Sequence, residues 1–145
     1  MYFEDYYVGQ VFEDIEPMVY TKEELIHAGK SWDPRDIHIY EDNQYFDTII
    51  SPGFYSIMTC WGQWVKTKID DDGLIVGFGI KDAKWIKPMF ADTKYNIKIE
   101  IVDKKVRKEG RNGLVDYKMT VTNPDGEVCL ECTPVGLVKY KNSKW

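Results

Sequence analysis

An aspartate and a histidine lie close together in a chain that has few histidines. Asp33 and His38 fall within the segment SWDPRDIH, and the 145 residues contain only one other histidine, His27. A carboxylate and an imidazole that share a water can divide the work. One accepts its proton while the other orients the water or protonates the product. A lone aspartate before proline is more often a turn residue, so it is the pair that indicates acid–base chemistry.

A second candidate feature follows at the predicted start of a helix. Ser51 is a plausible N-cap, and Pro52 fits a first helical turn. Gly53 would let a ligand approach the backbone closely. The first N–H groups of a helix have no acceptor within it and lie at the positive end of its dipole. Such a group can bind a carbonyl oxygen on which charge develops. A purely structural helix start remains the alternative.

The local pattern predicts helices around both features. The capping box of Thr21 and Glu24 predicts a helix over residues 22–30 that ends before the Asp33–Pro34 pair. Residues 33–39 are predicted to form a loop, and residues 41–46 a short helix. A longer buried helix is predicted from residue 52, because apolar residues recur there at helical spacing, namely Phe54, Ile57, Met58, Trp61 and Val65.

The remainder of the chain has the pattern of an antiparallel sheet. Strands are predicted over residues 74–86, 94–102, 114–122 and 127–140, and a looser extended segment over residues 11–20. The segment 94–102 alternates clearly, with Tyr95, Ile97, Ile99 and Ile101 on one face. We therefore predict an α+β fold in which a curved antiparallel sheet wraps around a central helix, as one domain over residues 1–145.

Composition excludes several classes of function. The net charge of −5 argues against nucleic acid or an anionic membrane as the main partner. No apolar run has the length of a membrane span, and the acidic, aromatic N-terminus is unlike a signal peptide. Three cysteines, an odd number, favour a reducing compartment, so we expect a cytoplasmic protein. Cys129 and Cys132 are three apart in a predicted strand and would face opposite sides, so no metal site is predicted.

Three stretches resemble the MaoC-like dehydratases, a family with the hotdog fold that includes the (R)-specific enoyl-CoA hydratases. The segment DPRDIH resembles the family's D-x-x-x-x-H motif, and ISPGF resembles the start of its central helix. The segment GIKDAKWIKPMFAD resembles the strand–turn–strand that follows. The resemblance covers nearly the whole chain. It implies hydration or dehydration of an acyl thioester carried by CoA or an acyl carrier protein, with no separate cofactor and no metal.

The resemblance also assigns roles to residues. Asp33 and His38 would be the catalytic pair that activates water, and the N–H of Gly53 would polarise the thioester carbonyl. Ser51 and Phe54, on either side, would contact the substrate. The family's usual assembly implies a homodimer or a higher homo-oligomer, joined edge to edge.

The chain departs from the family's pattern at three positions. Pro34 directly follows the aspartate, Pro52 stands where many hydratases have histidine, and bulky residues around Trp61 replace a helix serine found in some members. These changes favour a small or unusual acyl group. A hotdog thioesterase, in which one carboxylate activates water and His38 is dispensable, and a non-catalytic acyl-CoA-binding protein remain alternative hypotheses.

Overall fold

The computed structural model describes residues 1–144 and contains one antiparallel sheet with three helices. The helices are α1 (Lys22–Trp32), α2 (Asp36–Ile39) and α3 (Gly53–Val65), preceded by a 3-10 turn at Phe3–Asp5. The strands are β1 (Val11–Phe12), β2 (Leu74–Trp85), β3 (Asn96–Lys108), β4 (Asn112–Thr122) and β5 (Val128–Lys139). They lie in the order β1-β3-β4-β5-β2, so the long strand β2 forms one edge of the sheet.

The core lies between α3 and the sheet. Trp64 of α3 is fully buried, and its ring lies 6.1 Å from that of Tyr117 on β4 and 5.0 Å from that of Phe12 on β1. The four alternating residues predicted on one face of residues 94–102 are all buried, which confirms that face: Tyr95, Ile97, Ile99 and Ile101. The predicted α+β arrangement of a sheet around one helix is therefore confirmed.

Helix α1 begins at the predicted capping box and ends next to the candidate catalytic aspartate. The Glu24 N–H donates to Thr21 Oγ1 at 3.1 Å, and the Glu24 carboxylate accepts the Thr21 N–H in return. The helix runs two residues beyond the predicted end. Asp33 is its C-cap, and the Asp33 N–H donates to the carbonyl of Gly29 at 2.9 Å. Pro34 prevents further extension, because the residue before a proline disfavours helical backbone angles.

The predictions for residues 33–46 were wrong in two respects. Residues 36–39 form the short helix α2 rather than a loop, and residues 41–46 are not helical. The side chain of Asn43 organises that second segment instead. Its Oδ1 accepts the N–H groups of Tyr45 and Phe46, and its Nδ2 donates to two backbone carbonyls. An asparagine that bonds its neighbours' backbone in this way competes with helix formation.

The start and the buried face of α3 also differ from expectation. Pro52, not Ser51, is the N-cap, and it makes no side-chain capping bond. The Ser51 hydroxyl bonds Ser56 Oγ at 2.6 Å instead. The apolar stripe was expected to be buried, but Phe54 and Met58 are 80% and 61% exposed. The helix contributes the buried residues Ser56, Cys60, Gln63 and Trp64 to the core, and Ile57 and Trp61 of the predicted stripe are partly buried against it.

Candidate active site

The short helix α2 brings His38 beside the Asp33 side chain. His38 Nε2 lies 3.4 Å from Asp33 Oδ2. Arg35 Nη1 donates to the same carboxylate oxygen at 3.1 Å. Asp33 Oδ1 receives no hydrogen bond from residues 1–144, so it is free to accept one from water or substrate. Arg35 was not among the predicted site residues, although its place between the two catalytic candidates could have suggested a role.

The backbone fixes which nitrogen of His38 is available for chemistry. His38 is buried, and its Nδ1 lies 2.8 Å from the carbonyl oxygen of Ile50. A carbonyl oxygen can only accept, so Nδ1 carries a proton. In the neutral imidazole, Nε2 then has a free lone pair. That nitrogen faces Asp33, so it can take a proton from a water held by the carboxylate.

A glycine of α1 makes room for the histidine. A Cβ atom added to Gly29 would lie 2.8 Å from the His38 carbonyl oxygen and 2.9 Å from His38 Cβ. Real Cβ atoms do not approach other atoms that closely, so only glycine lets α2 pack here against α1. The sequence signal was a glycine inside a predicted helix, which often has a packing reason.

The first turn of α3 offers free N–H groups. Gly53 is its first residue, and the Pro52 cap supplies no side-chain acceptor. The N–H of Gly53 therefore has no partner within residues 1–144. The glycine is also required sterically, because an added Cβ would lie 2.6 Å from Nε1 and Cε2 of the Trp85 indole. A ligand can thus reach this N–H next to an aromatic ring.

All five residues singled out in the sequence line one cavity of about 390 Å³. It is bordered by Asp33, His38, Ser51, Gly53 and Phe54, together with Arg35, Phe46, Ile50 and the segment 85–89. A second cavity of about 750 Å³ is open to the same aspartate. Its walls are mainly apolar and include Trp32, Pro34, Pro52, Phe54, Tyr55 and Met58. Phe54 is part of both walls.

Other residues considered in the sequence lie away from this cavity. Trp61 packs edge-on against Tyr117 at 5.7 Å between ring centroids, in the aromatic part of the core. His27 is on the exposed side of α1. Cys129 and Cys132 are both buried free thiols. Within residues 1–144, no three His, Cys, Asp or Glu side chains cluster as metal ligands would. None of the helices in this range could span a membrane.

Chemically, the cavity combines a proton-transfer pair with a hydrogen-bond donor for an anionic oxygen. The carboxylate of Asp33 and the Nε2 lone pair of His38 can both contact one water. The N–H of Gly53, at the positive end of the α3 dipole, can contact an oxygen that gains charge during reaction. The arrangement therefore suits addition of water next to a polarised carbonyl, or the reverse elimination.

Comparison with known proteins shows which folds and proteins the chain resembles. No family model matches it. Among curated proteins it is similar to the protein YdeM of Bacillus subtilis, with 22% identity over 111 residues, 74% of this chain and 78% of that protein. It is similar in structure to a monoamine oxidase regulatory protein from Archaeoglobus fulgius, with a TM-score of 0.86 and 25% identity over 97% of this chain and 95% of that chain.

Two further solved structures bear names that state an activity. A MaoC-like dehydratase from Rhodospirillum rubrum matches with a TM-score of 0.86 and 16% identity over 97% of this chain and 98% of that chain. An (R)-hydratase from A. caviae matches with a TM-score of 0.69 and 15% identity over 94% of this chain and 98% of that chain. The structural neighbours thus include MaoC-like dehydratases and (R)-hydratases, and the hotdog fold predicted for this chain is confirmed.

Proposed function

We propose that this hotdog protein is a hydratase or dehydratase that adds water to, or removes it from, the α,β position of an acyl thioester. The observation that carries the proposal is the common cavity of Asp33, His38 and Gly53. Resemblance in fold to proteins named dehydratase and hydratase supports the same class of reaction. The substrate would be an enoyl or 3-hydroxyacyl thioester of CoA or of an acyl carrier protein.

In the hydration direction, Asp33 orients a water and His38 Nε2 accepts one of its protons. The water oxygen adds to Cβ of the enoyl group, and the electron pair of the double bond moves onto the thioester oxygen as an enolate. The imidazolium of His38 then delivers the proton to Cα, the carbonyl re-forms, and His38 is neutral again. The step balances with water alone, and both new bonds form on the side of the substrate that faces the pair.

The N–H of Gly53 acts on the other end of the reacting group. It donates to the thioester oxygen, whose negative charge is largest in the enolate. A donor fixed before the reaction stabilises this charge more than it stabilises the neutral substrate, and so it raises the rate. Ser51 and Phe54 flank Gly53 and would contact the thioester, Ser51 from the buried side and Phe54 from the open side.

Hydrolysis of the thioester is a less well supported alternative. A thioesterase would need only a carboxylate that directs water at the carbonyl carbon, and His38 would be dispensable. The Nδ1 contact between His38 and the Ile50 carbonyl instead leaves Nε2 beside Asp33 as a proton acceptor. This geometry favours a reaction that uses both residues.

Two assays on the same sample separate these functions. Crotonyl-CoA is incubated with the protein, and the loss of the enoyl absorbance is followed in one cuvette and release of free thiol in another. Loss of absorbance without thiol release, together with formation of 3-hydroxybutyryl-CoA, supports the hydratase. Thiol release without hydration supports a thioesterase. The protein could also bind these thioesters saturably but neither hydrate nor hydrolyse any enoyl-CoA from C4 to C8 or an enoyl-acyl carrier protein. That outcome would support a non-catalytic binder and contradict the proposal.

We further propose that two copies associate along β2. This edge strand is 12 residues long, and its outer backbone groups pair with no other strand among residues 1–144. It carries exposed Val76, Phe78 and Ile80, each at least 52% accessible. Exposed apolar edge strands readily pair with a second chain. A homodimer joined edge to edge would cover these side chains.

A further inference from the structure

We propose that the indole N–H of Trp85 is a second hydrogen-bond donor to the thioester oxygen, beside the N–H of Gly53. The inference rests on the proposed function, because it assigns a further residue to the same reaction. Trp85 ends β2 and lines the cavity that contains Asp33 and His38. Its role would be to share the charge of the enolate oxygen.

The two donors are close enough to serve one oxygen. A Cβ atom built on Gly53 would lie 2.6 Å from Trp85 Nε1, and an amino-acid nitrogen lies about 2.5 Å from its own Cβ. Trp85 Nε1 is therefore within about 5 Å of the Gly53 nitrogen. An N–H···O hydrogen bond is about 2.9 Å long, so one oxygen that accepts a hydrogen bond from each donor can bridge two nitrogens up to about 5.8 Å apart.

The indole N–H is also available. It donates to no residue within the described range, 1–144. Trp64 offers a contrast, since its Nε1 donates at 2.9 Å to the buried carboxylate of Asp70. The Trp85 ring is 47% exposed, and a ligand in the cavity would cover its N–H, which usually needs a polar partner once it is buried. The thioester oxygen bound at Gly53 would be such a partner.

Contacts on two sides restrict the orientation of the Trp85 ring, which is 47% exposed. On one side the ring of Phe54 meets it edge-on, with 5.3 Å between centroids and an interplanar angle of 74°. On its backbone Trp85 is paired with Leu130 of β5. The absence of a side chain at Gly53 permits the close approach on the remaining side. A donor restrained in this way reorganises less than a freely rotating one as charge develops.

The substitution Trp85→Phe tests the inference, because it keeps an aromatic ring and removes the N–H. We expect kcat for crotonyl-CoA hydration to fall by about 100-fold, the loss typical of one oxyanion donor, while KM changes by only about 3-fold. Trp61→Phe is the matched control, because Trp61 packs against Tyr117 away from the active-site cavity and also keeps an aromatic ring when its N–H is removed. It should retain wild-type kcat. An unchanged kcat in Trp85→Phe would overturn the inference.

A second measurement uses the unmutated protein and so does not depend on the variant's folding. The indole N–H resonances of ¹⁵N-labelled protein, assigned by sequential connectivity, are followed as butyryl-CoA is added. The Trp85 signal should move downfield together with the Gly53 amide, while the Trp64 signal stays in place. A moving Gly53 amide with an unmoved Trp85 indole would overturn the second donor alone. A wild-type protein that hydrates no enoyl thioester would overturn the proposed function as well.

Discussion

Gly29 and His38 are in such close contact that no side chain can fit between them. A Cβ at position 29 would approach the backbone oxygen of His38 to 2.8 Å. The contact holds α2 against α1, and α2 in turn places the imidazole between Asp33 and the Ile50 carbonyl. A residue without any functional group therefore sets the position of the proposed base.

The first prediction is that Gly29→Ala weakens both the fold and the activity. Overpacking of this kind typically costs about 1–3 kcal/mol of unfolding free energy, and a displaced α2 would lower kcat/KM by at least about 10-fold. Gly62→Ala is the matched control, because that helical glycine has nothing within 4 Å of an added Cβ. It should gain roughly 0.5–1 kcal/mol at unchanged activity. Urea unfolding measures the stability of each variant, and the rate of crotonyl-CoA hydration measures its activity. Wild-type stability and rate in Gly29→Ala would contradict the positioning role.

A second prediction concerns the cysteines. Burial raises the pKa of the Cys60 thiol to about 12 and that of Cys132 to about 11. The thiolate is the reactive form of cysteine. At pH 8 about one molecule in 1,000 would carry the Cys132 thiolate and about one in 10,000 the Cys60 thiolate. We expect a chromogenic disulfide reagent to react slowly with native protein at pH 8, faster as the pH rises, and with three thiols per chain in denaturant. Rapid labelling of all three in native protein at pH 8 would contradict this burial.

A third prediction tests association along β2. Phe78→Asp places a charge on the exposed edge strand, where burial in an interface would be costly, so we expect dimers to dissociate at least about 10-fold more readily. Val8→Asp is the control, since Val8 is a similarly exposed apolar residue that precedes β1, the strand at the opposite edge of the sheet. Sedimentation velocity over a concentration series distinguishes one chain from two. A wild-type protein that stays monomeric, or a Phe78→Asp dimer as tight as wild type, would argue against this interface.

The sequence predicted the elements whose signals are local. The capping box at Thr21, the alternating face of residues 94–102 and the turn that separates the strands predicted over residues 114–122 and 127–140 were all found. In that turn Asn123 Oδ1 accepts the N–H groups of Asp125 and Glu127. Each of these signals depends on residues a few positions apart, so a single sequence can reveal them.

Features that depend on tertiary contacts were missed. Ser51 has the side chain of an N-cap but bonds Ser56, and the exposed stripe at Phe54 and Met58 looks like a core face. The need for glycine at position 29 arises from α2, and that at position 53 from the indole of Trp85. Neither partner can be identified from spacing, because Trp85 lies 32 positions beyond Gly53 and reaches it only once β2 joins the sheet.

The most direct test of the account is the rate of enoyl-CoA hydration in variants of the proposed catalytic pair. Asp33→Asn and His38→Ala should each lower kcat/KM for crotonyl-CoA by about 100- to 10,000-fold, the usual contribution of a positioned acid or base. His27→Ala replaces the other histidine, which is exposed on α1, and should remain within about 2-fold of wild type. Circular dichroism would establish that the variants are folded. A folded Asp33→Asn or His38→Ala variant that hydrates crotonyl-CoA at the wild-type rate would contradict the proposed mechanism.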